Sequence, residues 1–404
     1  MRARNKDKVL IIVENLPVPH DKRVWQEARS LTRAGYTVTV ISPRGKDCQR
    51  LHEVIEGISV YRHPLPFEAR GAAGYLIEYP WAFVCQFVLA AWVYLTNGFA
   101  VIHACNPPDN IYLIARVFRL FCGTLFVFDH HDGNPELWVA KGGTEGGFVH
   151  RALCLIERQS FRAADVSLAV NDHFRKVAVN RGKMDPAAVF LVRNAPDRIL
   201  VEDVIHRTAQ VQLPSSRRCV VGFLGVMGIQ DGVANLMHIA HHLVMVLNRK
   251  DIVFRIMGDG PELASVKALA IDLGIQASVE FTGWISGDEY LDKLASCDIG
   301  VNADTANGYN EFCSPNKIYE YMLFGLPIVQ FDLPEARLIS GEAALNAQRN
   351  DNRDLASKLI RLADDEELRG RMGAQGRRRF LDHFLWDNAE RELLNAYQRI
   401  LPLR

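Results

Sequence analysis

The chain is constrained most by an alternation that runs through it twice. Short apolar runs of strand character are separated by segments with helical spacing. In the first half the runs lie at residues 9–13, 36–41, 58–62, 101–103, 124–128, 166–170 and 190–192. Helical patterns fill residues 21–34, 76–96, 109–120, 149–163 and 172–180, with Asp21 as N-cap and Gly35 as a stop for the first. Strands apolar on both faces, alternating with helices, predict an α/β fold with a mostly parallel, doubly wound sheet. The turn-like Asn194-Ala195-Pro196-Asp197 and a polar, irregular stretch over 198–218 interrupt the pattern. It then restarts, with strands at 219–224, 252–257, 279–281, 299–301 and 327–331 and helices at 232–248, 262–273, 288–296 and 315–324. Helical material over 351–380 and an amphipathic helix over 387–400 close the chain. The expected domains are 1–195 and 196–383, with a terminal helix (384–404) crossing back to the first. Two such sheets in tandem imply a cleft at their carboxyl ends.

A chain of 404 residues suits two or three domains. Forty-seven basic and 47 acidic side chains give zero formal charge, which excludes a long-range basic field for nucleic acid. The 8 cysteines form no CxxC pair and sit mostly among apolar neighbours, so they read as reduced thiols of a cytoplasmic protein, not as zinc ligands or disulfides. The basic start (Arg2, Arg4, Lys6, Lys8) precedes an apolar run too short for a signal peptide. Residues 79–98 carry no charge and match a membrane span in length. A span there would split the first sheet between two compartments, so a buried or surface-seated helix is expected, with an aromatic face resting on lipid as a middle option.

Three groups of residues carry candidate chemistry. Glycine-containing turns follow two strands: Gly225 and Gly228 after the first strand of the second half, and Gly258-Asp259-Gly260 after the next. Neither is a P-loop; each is a tight turn or a backbone cradle for phosphate. Polar residues end strands at His103, with Asn106 beyond it, and at Asp129-His130-His131-Asp132. The second cluster reads as a carboxylate–histidine element, as polar scaffolding, or as a metal site without an identifiable third ligand. In Ser314-Pro315-Asn316-Lys317-Ile318-Tyr319-Glu320, Ser314 caps a helix and Pro315 fits its first position. Lys317 and Glu320 then share a face, suited to a diphosphate and ribose hydroxyls or to a surface ion pair.

Taken in order, these segments resemble the retaining glycosyltransferase family 4, of GT-B architecture. The resemblance covers nearly the whole chain and is strongest in PNKIYEYMLFGLPIV, from Pro315. GDGPE from Gly258, FTGW from Phe281, VIHACNPPD, FDHHD and the turn at Val192-Arg193-Asn194 match further family segments. The resemblance implies two Rossmann-like domains facing a central cleft. It also implies transfer of a sugar, with retention, from a nucleoside diphosphate sugar (UDP-sugar favoured) to a hydroxyl acceptor, and the aromatic, uncharged residues 79–98 suit a saccharide or polyprenyl-linked one. Glu320 falls on the ribose-binding glutamate, and His131 on the histidine near the transferred sugar. Lys317 and the Gly225–Gly228 backbone would meet the diphosphate, with Gly258, Gly260, Ser314, Asn316 and Arg193 as further donor contacts. Acceptor contacts would come from Asn15, Arg23, His103 and Asn106. No metal or other cofactor is demanded. The setting implied is polysaccharide or glycolipid assembly, on the inner face of the cytoplasmic membrane.

The departures from the family pattern matter. Val226 and Asp231 stand where GRLxxxKG supplies an arginine and a lysine to the diphosphate, so charge-assisted bonds are lost there. EX7E is broken: Phe312 occupies the first glutamate's position, and Glu311, one residue away, is the substitute. Ala195 replaces the glycine of PNGVD, and Cys105 the second histidine of HxH. A catalytically impaired nucleotide-sugar-binding or scaffold protein of the same fold is therefore the alternative reading.

Overall fold

The computed structural model describes residues 7–45, 47–65, 71–196, 198–210 and 218–402, and for 71–77 and 210 the backbone only. The basic residues Arg2, Arg4 and Lys6, and Asp197 of the turn, lie outside the described residues. The chain divides into two compact units: Met1–Val139, Gly143–Asn194 and Asp387–Arg404 in one, Ala140–Gly142 and Ala195–Trp386 in the other.

The first unit is built on eight strands: β1 (Lys8–Ile12), β2 (Thr37–Pro43), β3 (His52–Ile55), β4 (Ile58–His63), β5 (Val101–Cys105), β6 (Leu125–His130), β7 (Val166–Ala169) and β8 (Val189–Leu191). Their order is β3-β4-β2-β1-β5-β6-β7-β8, and every pairing is parallel except β3 with β4. β5 is buried throughout, and β1 and β6 after their first residue, which is why they read as continuous apolar runs. β3 is an unforeseen edge strand whose sequence, HEVI, has no apolar face to announce it. Helix α1 (Lys22–Arg33) starts at Asp21, whose carboxylate accepts from the Val24 N–H at 3.1 Å. Helices α2 (Gly71–Thr96), α3 (Tyr112–Cys122), α4 (Asn134–Ala140) and α5 (Phe148–Ala163) follow. The Trp386–Ile400 helix packs on this unit: Tyr36 donates its hydroxyl proton to the Leu401 carbonyl at 2.9 Å, and Arg33 pairs with Glu390 at 2.7 Å.

The second unit carries β9 (Cys219–Leu224), β10 (Ile252–Met257), β11 (Val279–Gly283), β12 (Ile299–Asn302), β13 (Ile328–Phe331) and β14 (Ala344–Ala347). They run parallel in the order β11-β10-β9-β12-β13-β14. The stretch expected to be irregular contains the helix Arg198–Gln210, and β14 was not foreseen. The helical material over 351–380 is two helices, Asn352–Asp364 and Glu366–His383, broken at Asp365, which caps the second. The Asn316–Phe324 helix has Pro315, not Ser314, as its N-cap residue. Ser314 instead donates to the buried Glu335 carboxylate at 3.0 Å.

At the carboxyl edge of this sheet two glycine turns interlock. Gly225 N–H donates to the Met257 carbonyl (3.1 Å), Met227 N–H to Asp259 (2.9 Å) and Glu262 N–H to Met227 (2.9 Å). Gly258 adopts φ 132°, and a Cβ there would lie 1.9 Å from the Gly225 carbonyl oxygen. Both conformation and space therefore require glycine. Gly258→Ala is expected to destabilise the second unit by about 3 kcal/mol, read as a lower urea midpoint. A midpoint equal to wild type would refute the interlock.

Candidate functional site

In the first unit the carboxyl edge of the sheet gathers a buried polar chain. Asp129, near the end of β6, is fully buried. Arg23, in the first turn of α1, grips it with two bonds, Nε to Oδ2 at 2.8 Å and Nη2 to Oδ1 at 2.6 Å. Its Nη1 donates to the Val192 carbonyl and to Asn194 Oδ1, both at 2.8 Å, and Nη2 lies 3.2 Å from Glu27 Oε1. The other oxygen of Glu27 is 3.4 Å from His103 Nε2, and His103 Nδ1 meets the Tyr397 hydroxyl at 2.9 Å. On the outer side, His131 Nδ1 lies 3.2 Å from Asp129 Oδ2. The His131 backbone is fixed by Asn106, whose Oδ1 accepts from the N–H groups of His131 (2.8 Å) and Asp132 (3.1 Å).

The protonation states follow from burial and charge. Burial alone would raise the Asp129 carboxyl, but the Arg23 guanidinium and His131 overcome it and hold it well below the usual range. Burial opposes charge on His131, yet Asp129 outweighs it and lifts the imidazole to about 9. His131 is therefore an imidazolium at neutral pH. Burial, reinforced by Asp129, pushes Glu27 up to about 8, so it is mostly neutral. Burial lowers His103 to about 4. The ligand atoms of Glu27, His103, Cys105 and Asp129 lie within 4.8 Å of one another, the spacing of a metal site. Arg23 already supplies the positive charge there, and burial keeps the Cys105 thiol protonated.

These contacts change several expectations. Arg23 is buried and turns its guanidinium inward, with four N–H groups bonded to Asp129, Val192 and Asn194, so it is not presented to an acceptor sugar. His103 is fully buried, and Asn106 is buried and bonded at both ends of its amide, donating to Asp109 (2.9 Å) and the Asp132 carbonyl (2.6 Å). Asn106 bonds the His131 loop directly, Arg23 meets Asp129 beside it, and His103 contacts Glu27 and Tyr397. Asn15 is exposed. The adjacent histidines point apart: His130 is fully buried against Glu157 (3.1 Å). His130 Nδ1 and His103 Nε2 are buried without a hydrogen-bond partner among the described residues, whereas the His131 side chain keeps 10% of its surface exposed. Arg193 pairs with Asp172 at 3.1 Å.

The second unit gathers the residues expected to meet the donor. Lys317 lies over the Phe223 ring (4.7 Å) and pairs with Asp304 at 2.8 Å. A Cβ on Gly225 would stand 3.6 Å from its Cε, so the lysine lies against the first glycine turn. The backbone changes the expectation for both glycine turns. The Gly225, Met227 and Gly228 N–H groups are bonded within the protein, Gly228 to Asp231 Oδ2 at 3.0 Å, and Gly260 N–H is bonded to Asp259 at 2.7 Å. These amides are spent within the protein and do not face a phosphate. Burial raises the Asp231 carboxyl, with Lys317 opposing the shift. Glu320 accepts from the Tyr290 hydroxyl at 2.5 Å, and Glu311 pairs with Arg349 at 2.8 Å. Asn316 is exposed. Asp304, Tyr290 and Glu335 were missed; Asp304, just past the end of β12, had a strand-end position as its signal.

Two mostly parallel sheets in separate units, each carrying its polar constellation on carboxyl-edge loops, define a glycosyltransferase of the GT-B fold. Residues 21–195 match the family described as a glycosyl transferase 4-like domain, and residues 218–365 the one described as glycosyl transferases group 1. The chain belongs to this group 1 family of glycosyltransferases. It is similar to an MMP alpha-(1->4)-mannosyltransferase of Mycolicibacterium hassiacum, 28% identical over 407 residues and covering 93% of each chain. Among solved structures, sucrose-phosphate synthase of Thermosynechococcus elongatus superposes with TM-score 0.78 at 14% identity, over 98% of this chain and 99% of that one. Anabaena HepE in complex with UDP-glucose gives 0.71 at 14% identity, over 97% and 100%.

Two outcomes test the buried chain. Arg23→Ala leaves Asp129 buried without its cation and is expected to cost about 3–5 kcal/mol of stability, measured by urea unfolding; a loss under a third of that would contradict the pairing. The folded unit also holds the His131 proton more tightly than the unfolded chain, about 9 against 6.5. That contribution is complete below pH 6.5 and is lost as pH rises through about 9. Glu27, favoured as the neutral acid, acts in the same direction from 4.5 up to about 8. The melting temperature is expected to fall between pH 6.5 and 9, and His131→Asn to flatten the upper part of the fall. A flat wild-type profile would rule out the imidazolium.

Proposed function

We propose that the chain moves a sugar from a nucleoside diphosphate sugar, with UDP as the favoured carrier, to a saccharide or polyprenyl-linked acceptor, retaining anomeric configuration. The setting is polysaccharide or glycolipid assembly on the cytoplasmic face of a membrane. The observation that carries the donor half is the Asn316–Phe324 helix, which presents Lys317 beside the first glycine turn and Glu320 one turn further on. Lys317 supplies positive charge to the diphosphate, and Ser314 and Asn316 flank it at the start of the helix. Glu320, held by Tyr290, takes the ribose hydroxyls. Anabaena HepE, with UDP-glucose bound, supports a uridine carrier.

In the reaction the bond from the anomeric carbon to the diphosphate oxygen breaks and a bond to the acceptor oxygen forms. His131 donates a hydrogen bond from Nε2 to the transferred sugar. Asp129 orients it, and Arg23, Glu27, His103 and Asn106 position the pair. Asp231 spends one carboxylate oxygen on the Gly228 N–H of its own turn, so that oxygen is directed at the backbone and not at a diphosphate. This weakens the case for an impaired scaffold protein.

Saturation-transfer NMR with UDP-, GDP- and ADP-sugars tests the carrier, with the UDP-sugar expected to respond. Glu320→Ala is expected to weaken UDP binding about tenfold or more with the melting temperature unchanged. Equal affinity in the variant would remove Glu320 from the ribose.

A further inference from the structure

The uncharged stretch in α2 is long and apolar enough to cross a membrane, yet only 22% of Glu78–Thr96 is buried. Its two faces differ. Ala82, Gln86, Ala90 and Val93 are buried, and Gln86 donates to Glu14, which also meets His63 at 3.0 Å. That bonded inner face fixes the helix to its own unit and is incompatible with a span. The outer face is a helical stripe of Trp81, Val84, Val88, Trp92 and Leu95, all exposed, with Leu95 at 82%. α3 lies alongside, joined through Phe87 to Phe118 (6.2 Å) and Tyr94 to Phe118 (5.6 Å), and continues the surface with Leu120 and Phe121, the latter 79% exposed.

The charge beside this surface is mostly positive: Arg119 is paired with Asp165, just past α5, and the other arginines of α3 and α5 have no acid on the exposed faces of these two helices. α3 carries Arg116 and Arg119 and no acid. α5, which meets α3 through Arg116 and Gln159 (3.2 Å), carries Arg151, Arg158 and Arg162, and its single acid, Glu157, is fully buried. Arg116, Arg151 and Arg162 are exposed. In a chain of zero net charge, this is a local positive border on an aromatic, aliphatic face. We propose that the outer faces of α2 and α3 lie in the interface of an anionic lipid bilayer, with the arginines of α3 and α5 against the headgroups. A second copy fits less well, because a two-fold contact over this face would bring the arginine borders of both copies together. The inference deepens the lipid-linked acceptor reading and rests on it for purpose alone, since adsorption needs neither donor nor acceptor.

The test is co-sedimentation of the full chain with vesicles of equal parts phosphatidylcholine and phosphatidylglycerol, and with vesicles of phosphatidylcholine alone. Strong, salt-sensitive binding to the first and weak binding to the second is expected. Arg151→Gln with Arg162→Gln is expected to weaken binding to the anionic vesicles about tenfold or more. Trp92→Asp with Leu95→Asp, on exposed positions, is expected to abolish it while keeping UDP binding and the melting temperature. Wild-type protein left in the supernatant, variants that sediment like wild type, or a dimer in light scattering that Trp92→Asp with Leu95→Asp dissolves would each overturn the proposal. UDP binding, measured without vesicles, stands or falls separately.

Discussion

The first unit is organised by one buried contact, the fork of Arg23 on Asp129. A carboxylate with no solvent exposure is costly unless its charge is matched and its lone pairs are occupied. Arginine can do both at once, because its planar group offers several donors in fixed directions. Here those donors tie the start of α1 to β6 and to the chain leaving β8. Neighbours then take states compatible with the pair. Glu27 is kept neutral, His103 is kept neutral, and His131 is kept charged. The Trp386–Ile400 helix joins through Tyr397, so the far end of the chain helps define the environment of His103.

The second unit solves the same problem with backbone. Its two glycine turns bond to each other, Gly225 to Met257, Met227 to Asp259 and Glu262 to Met227, which spends those amides within the protein. Charge is then placed by side chains: Lys317 between Phe223 and Asp304, Glu320 against Tyr290. Asp231, where a lysine was expected, caps its own turn through Gly228. The same position can thus serve the turn without serving the ligand.

Much of the fold is legible in the sequence because a strand covered on both faces must be apolar along its whole length. β1, β6, β9 and β12 announce themselves this way. β3 and β14 do not, since HEVI and ALNA lie at sheet edges and need no continuous apolar run. The candidate site is legible residue by residue and not as a network. His131, Lys317 and Glu320 stand out by motif. Arg23 is expected from the sequence to meet the acceptor, and only the packing of α1 on β6 and the 192–194 turn reveals its bonds to Asp129, Val192 and Asn194. Ser314 obeys the capping rule as a sequence, but Glu335, distant in the chain, offers its hydroxyl a buried charged partner and wins.

The state of His131 narrows the chemistry on the reading given above. An imidazolium already carries both ring protons, so it cannot remove the acceptor's proton. It can only donate a hydrogen bond and add positive charge near developing negative charge. On that proposal the departing diphosphate oxygen, which gains basicity as the bond to the anomeric carbon breaks, is the group that takes the acceptor proton. Acceptor attack and donor departure become coupled on one face of the sugar, which is the condition for retained configuration without a protein nucleophile. A buried Asp129, kept ionised by Arg23, is what holds the histidine in that charged form.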